Sequence, residues 1–446
     1  MPSSNSLEQL LKRRRFPDAQ SLIEFHEALL FFRAYPASAR ILRLTDSLLA
    51  SFPKRIDRLR RAGADLTPFE QPDVSGISGT GLSAVFTYQM ARWLARHHPA
   101  SIDIDWEGSD ASLLGPLLAR IHPVFAEDAL VEANIPYLDW FRAAKGHSKE
   151  TDLRWLISRL EKVPLSDDVI SDLYAHAELA LRWELDNIAT TRTNLRLPGV
   201  RKFFYHNAPL LRRADVSIAA ELKSPPLPVT KLSRTRGLQM LDLARETSAM
   251  RFRELHGFTY GNPSDVSRVE LGRGVVVFVS SVPPEHRLPL RTYHAGLIFK
   301  NAVPIGYVET LTYREQMEVG FNLYYTFREG ETAWLYARLL RLFHQLLGVT
   351  RFTVDPYQLG LHNDEAIESG AFWFYRKLGF RPDNAEVAKL LATEEKRLHA
   401  NPNYRTPARI LRRLAAGWLV YGPGERVDAR RLAMKIRDST RKYQFP

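Results

Sequence analysis

The chain has 446 residues, 45% hydrophobic and 11% aromatic, which is enough apolar surface for large cores and a length suited to two or three domains. It contains no cysteine, which excludes disulfides, thiolate metal sites and cysteine nucleophiles and agrees with a reducing compartment. The formal charge of +12 allows a nucleic acid, an anionic lipid or an acidic cofactor such as a nucleotide. The opening MPSSNSLEQLLKRRRF lacks the apolar core of a signal peptide, and no window approaches 18 uncharged apolar residues, so a cytoplasmic protein without a spanning helix is expected.

From Leu7 to about Arg61 the apolar residues recur at three- and four-residue spacing (Leu22, Phe25, Leu29, Leu30, Phe32), which predicts helices. A glycine-rich turn follows (Gly76, Gly79, Gly81). The pattern then predicts a helix over Leu82 to His97 and a strand over Ser101 to Trp106 carrying Asp103 and Asp105. This is the outline of a dinucleotide or S-adenosylmethionine turn. The stretch before the glycines, however, holds Pro68 and Pro72 and no apolar run, which favours a close-packed loop entering a core helix. Helices are expected over about Ala126 to Arg142, Thr151 to Leu160 and Asp168 to Ile188, closing a mainly helical region, 1–221, of unassigned role. Residues 222–236, rich in proline and basic residues, read as a linker.

The C-terminal half changes character. Strands are predicted over Gly274 to Ser280, Tyr293 to Phe299, Val303 to Leu311 and Glu318 to Phe327, with spacers short enough for antiparallel hairpins. A helix over Glu331 to Leu347 is stopped by Gly348, a strand follows over Thr350 to Pro356, and a second helix from Asp364 to Leu378 is stopped by Gly379. Residues 386–446 read as a basic helical extension (Arg412, Arg413, Arg430, Arg431, Lys435, Arg437, Arg441, Lys442). This is a solvated face, or a surface for weak RNA or membrane contact. The expected class is α+β, a helical N-terminal region followed by a mixed-sheet domain with flanking helices. Histidines form no HExxH or His-x-His pattern, and neither a Walker loop nor a Gly-x-Ser-x-Gly elbow is present.

Ala371, Tyr375, Gly379 and Phe380 in AFWFYRKLGF, set behind this order of strands and helix, resemble the closing elements of the GNAT superfamily of N-acetyltransferases. The resemblance covers about residues 237–385. It implies a GNAT-like mixed sheet that moves an acyl group, from acetyl-CoA or another acyl-CoA, to an amine of a small molecule or peptide by direct attack, while the scattered histidines give no reason to expect a metal site. By that resemblance the strand before the central helix parts from its neighbour to receive the pantetheine arm near Leu323 and Tyr325. The turn with Arg328, Gly330, Thr332 and Ala333 faces the pyrophosphate, and Asn363 is either a cofactor contact or a helix N-cap. The turn departs from the family pattern, with Glu331 where a glycine is usual and Glu329 beside it, and two acids repel a pyrophosphate. Tyr375 is the candidate acid for the leaving thiolate, and also a residue of the apolar stripe of its helix. Glu318 and Glu309 are candidate bases, and Asn322 and Tyr324 candidates to orient the acceptor amine. Two other readings stand beside this one: a non-catalytic GNAT-like binding module, and a transferase that takes its acyl group from aminoacyl-tRNA.

Overall fold

A computed structural model describes residues 16–121, 135–186 and 188–441. The fold is α+β, with a helical N-terminal region and a C-terminal mixed sheet. The beginnings of the helices expected from Leu7 and Ala126 lie outside the described residues, as does Lys442. Among the described residues no helix is long and apolar enough to cross a membrane. The described chain forms two compact units, each discontinuous in sequence. One holds residues up to Leu30, Arg40–Arg196 and Asp242–Thr259; the other holds Phe31–Ala39, Leu197–Leu241 and the chain from Tyr260 onward.

In the first unit helices surround a small antiparallel sheet of β1 (Gly81–Val85), β2 (Ile102–Ile104) and β3 (Ala180–Glu184), in the order β1-β3-β2. Two expected helices give way to strands here. The one expected from Leu82 begins only at Tyr88, where the Thr87 side chain accepts from Met90 N–H. The one expected to Ile188 ends at His176, and β3 follows with Leu181 and Trp183 fully buried. Pairing across β1 and β3, from Gly81 opposite Glu184 to Val85 opposite Ala180, overrides the local helical pattern. The glycines serve packing. Gly76 and Gly79 have φ of +95° and +94°, and a Cβ on Gly79 would press on Pro53. The strand follows the glycines rather than preceding them, and its neighbour is antiparallel, so the dinucleotide outline is not built.

The second unit is organised by a nine-stranded sheet in the order β11-β12-β10-β9-β8-β7-β6-β5-β4. The strands β4 (Val229–Lys231), β5 (Val266–Gly272), β6 (Val275–Ser281), β7 (Thr292–Lys300), β8 (Val303–Tyr313) and β9 (Gln316–Leu323) are antiparallel in succession. The central helix, Thr332–Leu347, then returns the chain to β10 (Arg351–Val354), which runs parallel to β9. Leu335, Leu339, Leu342 and Phe343 bury one side of that helix, and Gly348, at φ +65°, ends it. The Phe321 and Tyr336 rings, 5.3 Å apart, fix the sheet face on which it lies.

Three expectations are corrected in this unit. Residues 222–236 are docked rather than a free linker: they carry β4, and Leu227 N–H donates to Gln345 on the central helix. Residues 386–446 do more than extend the fold, because β12 (Leu419–Tyr421) inserts between β10 and β11 (Arg381–Pro382) and pairs with both. The helix expected from Asp364 to Leu378 is broken by Gly370, at φ +68°, into Asp364–Glu368 and an aromatic helix, Ala371–Lys377.

Candidate functional site

The parallel pairing of β9 with β10 covers only Gln316, Met317 and Glu318, whereas β9 stays paired to β8 as far as Leu323. Beyond Glu318 the two parallel strands therefore part, and one edge of β9 loses its backbone partners. Such an edge must find other hydrogen bonds or a ligand. Part of it is met by Gln358, whose amide donates to Val319 C=O at 3.1 Å and accepts from Phe321 N–H at 3.4 Å. The helix carrying Gln358 is set by Asp355, which caps Tyr357 N–H, and by Pro356 in its first turn.

On one face of the sheet at this edge lie Glu318, Gly320 and Asn322 of β9, opposite Leu311, Glu309 and Tyr307 of β8. Glu318 and Glu309 are thus diagonal neighbours on one face. Burial pushes Glu309 up to about 7, while the Tyr293 hydroxyl donates to it. Burial also raises Glu318, against the pull of Arg430, 3.4 Å away. Asn322 shares this face and its amide makes no hydrogen bond with the described residues; Tyr324 follows at the end of the strand, with its ring 6.4 Å from that of Tyr307.

On the other face, Tyr375 of the aromatic helix is buried with Tyr336, their rings 5.4 Å apart. Burial raises both phenols. The Tyr336 hydroxyl has no hydrogen-bond partner among the described residues. Phe321, at the open edge, packs on Tyr336, so the phenol pair borders the gap between β9 and β10 from the helix side.

The turn before the central helix is organised from within. Glu331, 2% exposed, turns inward to pair with Arg273 and to lie 3.6 Å from Lys300, while its carboxylate accepts from Leu211 N–H. Burial opposes its charge, but Arg273, Leu211 and Lys300 outweigh that and hold its pKa below the usual range. Lys300 is itself lowered to about 7 by burial, against the favourable field of Glu331. Its ammonium donates to Arg273 C=O at 2.6 Å and lies over the Tyr35 and Phe204 rings. Tyr35 packs on Gly330 so closely that a Cβ there would collide with its hydroxyl.

Of the residues expected at the cofactor, Leu323 ends β9 and its carbonyl accepts from Arg328 Nε at 3.3 Å, while the Arg328 guanidinium pairs with Glu365. Tyr325 is 64% exposed beneath Arg328. Thr332 Oγ1 donates to Arg328 C=O, and Ala333 is buried in the first turn of the helix. No side chain caps this turn, which leaves its first N–H groups without partners inside the helix. Gly330 gives room to Tyr35, and Asn363 is an N-cap, accepting from Ala366 N–H at 3.2 Å. The structure therefore brings Glu309, Glu318, Asn322 and Tyr324 together at one side of the gap and Tyr375 to the other. Gln358, Tyr336, Arg273, Lys300 and Tyr35 carry no motif, and their roles depend on contacts distant in sequence. In comparisons with known proteins, no family model matches the chain, and no curated protein and no solved structure gives a significant match.

Proposed function

We propose that the second unit transfers an acyl group from a CoA thioester to a primary amine. The observation that carries this reading is the parting of the parallel strands β9 and β10 after Glu318, with two carboxylates of raised pKa on one side of the gap and a pair of buried phenols on the other. The antiparallel strands, the central helix and the parallel β10 follow the element order on which the resemblance to the GNAT superfamily, drawn from AFWFYRKLGF, rests. In this reading Glu318, assisted by Glu309 on the same face, accepts the proton of the acceptor ammonium. Once Glu318 has passed that proton to water, the amine lone pair attacks the thioester carbonyl, the C–N bond forms, the attacking nitrogen gives its second proton to Glu318, the C–S bond breaks, and Tyr375 gives its proton to the leaving thiolate and is reprotonated from water. Burial keeps that phenol protonated until the thiolate develops. Glu331 is no obstacle to a pyrophosphate, because its charge is answered inside the fold by Arg273 and Lys300. The uncapped N–H groups of Thr332 to Trp334 and the partly exposed Arg328 are the donors that remain for it.

A second reading, a binding module that performs no transfer, is favoured by Gln358 and Tyr35, which occupy the strand edge and part of the turn with the chain's own groups. Thermal denaturation of the full chain with acetyl-CoA and longer acyl-CoAs separates the two. Binding to the folded state raises the melting temperature by mass action, about 2.7 kcal/mol of stabilisation at a hundredfold excess over Kd. An unchanged melting temperature at millimolar ligand removes the transfer reading.

A further inference from the structure

We propose that the cavity beside Glu318 takes a small acceptor bearing a carboxylate next to its primary amine, an amino acid or close analogue, with Arg291 receiving the carboxylate. This rests on the acyl-transfer reading for the role of Glu318 in chemistry, but not for binding. The cavity has a volume of about 140 Å³. Glu318, Tyr313, Arg291, Trp418, Arg426 and Arg430 are among the residues that line it. Liquid water occupies about 30 Å³ per molecule, so the space corresponds to roughly five waters. That admits the amine and carboxylate ends of an amino acid and excludes a nucleotide or a folded peptide.

The three guanidiniums in the lining are not equivalent. Arg426 donates to Asp383 at 2.6 Å and lies 4.4 Å over the Trp418 ring. Arg430 stands between Glu318, at 3.4 Å, and Asp355, at 3.8 Å. The Arg291 guanidinium has no hydrogen bond and no ion pair at contact distance with the described residues, although its field reaches Glu318, and its Nε is buried without a partner. A guanidinium cannot lose its proton at any ordinary pH, and a buried donor left unpaired is costly, so Arg291 is matched by a planar, bidentate anion. The same small space holds Glu318, which suits an ammonium. A simple amine leaves Arg291 unmet, and a simple carboxylic acid brings its charge towards Glu318. A zwitterion meets both. Arg430 is 56% exposed, and so long and exposed an ion pair yields Glu318 to an incoming ammonium at little cost.

The test is calorimetric titration of the full chain, without CoA, with L-alanine, L-alaninamide and propionate. L-Alanine should bind at least about tenfold more tightly than either analogue, each of which lacks one charge. Arg291→Gln, its folding checked by circular dichroism, should abolish the preference of L-alanine over L-alaninamide, and Arg291→Lys should retain part of it. Equal binding of L-alanine and L-alaninamide, no binding of L-alanine at millimolar concentration, or a preference untouched in Arg291→Gln overturns the proposal. Should Arg291→Gln fail to fold, the comparison of the three ligands on the unaltered chain decides. The outcomes separate from those of the transfer reading. L-Alanine bound in preference to its amide, with no response to acyl-CoA, upholds the pocket and removes the transfer. A response to acyl-CoA with no discrimination between acid and amide does the reverse.

Discussion

The second unit buries carboxylates in two places and treats them in opposite ways. At the turn before the central helix, Glu331 is met by Arg273, Lys300 and Leu211 N–H, and its charge is favoured despite burial. At the edge of β9, burial raises Glu309, which has a hydroxyl on it, and also Glu318, against the more distant fields of Arg430, Arg291 and Arg426. The difference lies in how closely counter-charge approaches rather than in depth. A carboxylate with cations at hydrogen-bond range serves structure. One left short of them is held near the pH at which it can take a proton, which is what a general base requires.

The largest effect expected from breaking this comparison is at the structural acid. Glu331→Gln strands Arg273, which cannot discharge, while Lys300 can shed its proton. The loss should be about 3 kcal/mol, at the low end for a broken buried pair because Arg273 is partly exposed. Melting temperature read by circular dichroism should fall by roughly 6–12 °C. A drop of a degree or less would mean that the turn does not depend on its internal ion pairs.

The next effect reverses the sign. In the folded chain Glu309 holds its proton from its ordinary value of 4.5 up to about 7, so the folded state binds more protons than the unfolded one in that window. The contribution of Glu309 is therefore fully favourable below about pH 4.5 and is lost as pH rises through about 7. A full shift of this size corresponds to about 3 kcal/mol, which partial exposure and the Tyr293 hydrogen bond reduce to about 1–2 kcal/mol. Glu309→Gln should match the parent at pH 4.5 and exceed it by that amount at pH 8 in urea denaturation. Equal stabilities at pH 8 would show that Glu309 is not held protonated. Glu331 behaves oppositely, its contribution being present above its ordinary value and lost as pH falls through its depressed pKa.

Both kinds of acid look alike in the sequence, which explains how much of the site was legible. The strands from Val275 to Leu323, the central helix and the closing Phe380-Arg381-Pro382 follow from period and punctuation, because each is long or sharply bounded and buries a regular set of apolar side chains. The short strands were not legible. β1, β4 and β12 have only a few residues each, and they become strands because a partner waits across a gap of dozens of residues. Glu318 and Glu309 stood out as carboxylates in apolar strands. The acidity of the turn was equally visible, but the inward path of Glu331 was not, since Arg273, Lys300 and Tyr35 come from three separate segments. Gln358 gave no signal, being one polar residue in a short helix whose importance comes only from the edge it reaches.

Gln358 supplies a smaller and sharper test. Removing it in Gln358→Ala frees Val319 C=O and Phe321 N–H at a partly exposed edge, for a loss of about 1 kcal/mol. If a pantetheine arm uses these groups, the variant no longer has to displace an internal amide, so the rise in melting temperature with acetyl-CoA should exceed that of the parent even though the unliganded chain melts lower. A ligand-induced rise no larger than the parent's would place the arm elsewhere.

The smallest effect on stability concerns the one basic side chain of the turn that is partly free. Arg328 is held by Glu365 in a pair whose side chains are 33% and 48% exposed, and such a pair is worth about 0–1 kcal/mol. Glu365→Gln should therefore leave the melting temperature of the unliganded chain within about a degree. It should still tighten acetyl-CoA, since Arg328 is released towards the uncapped end of the central helix without a competing carboxylate. The gain should shrink as salt is raised, because the contact is exposed and screening acts within about 10 Å at 0.1 M. A gain that is absent at low salt would leave the helix N–H groups without their cationic partner and weaken the case for a pyrophosphate at this turn, whereas a gain indifferent to salt would have to come from a change in the fold of the turn rather than from the charge of Arg328.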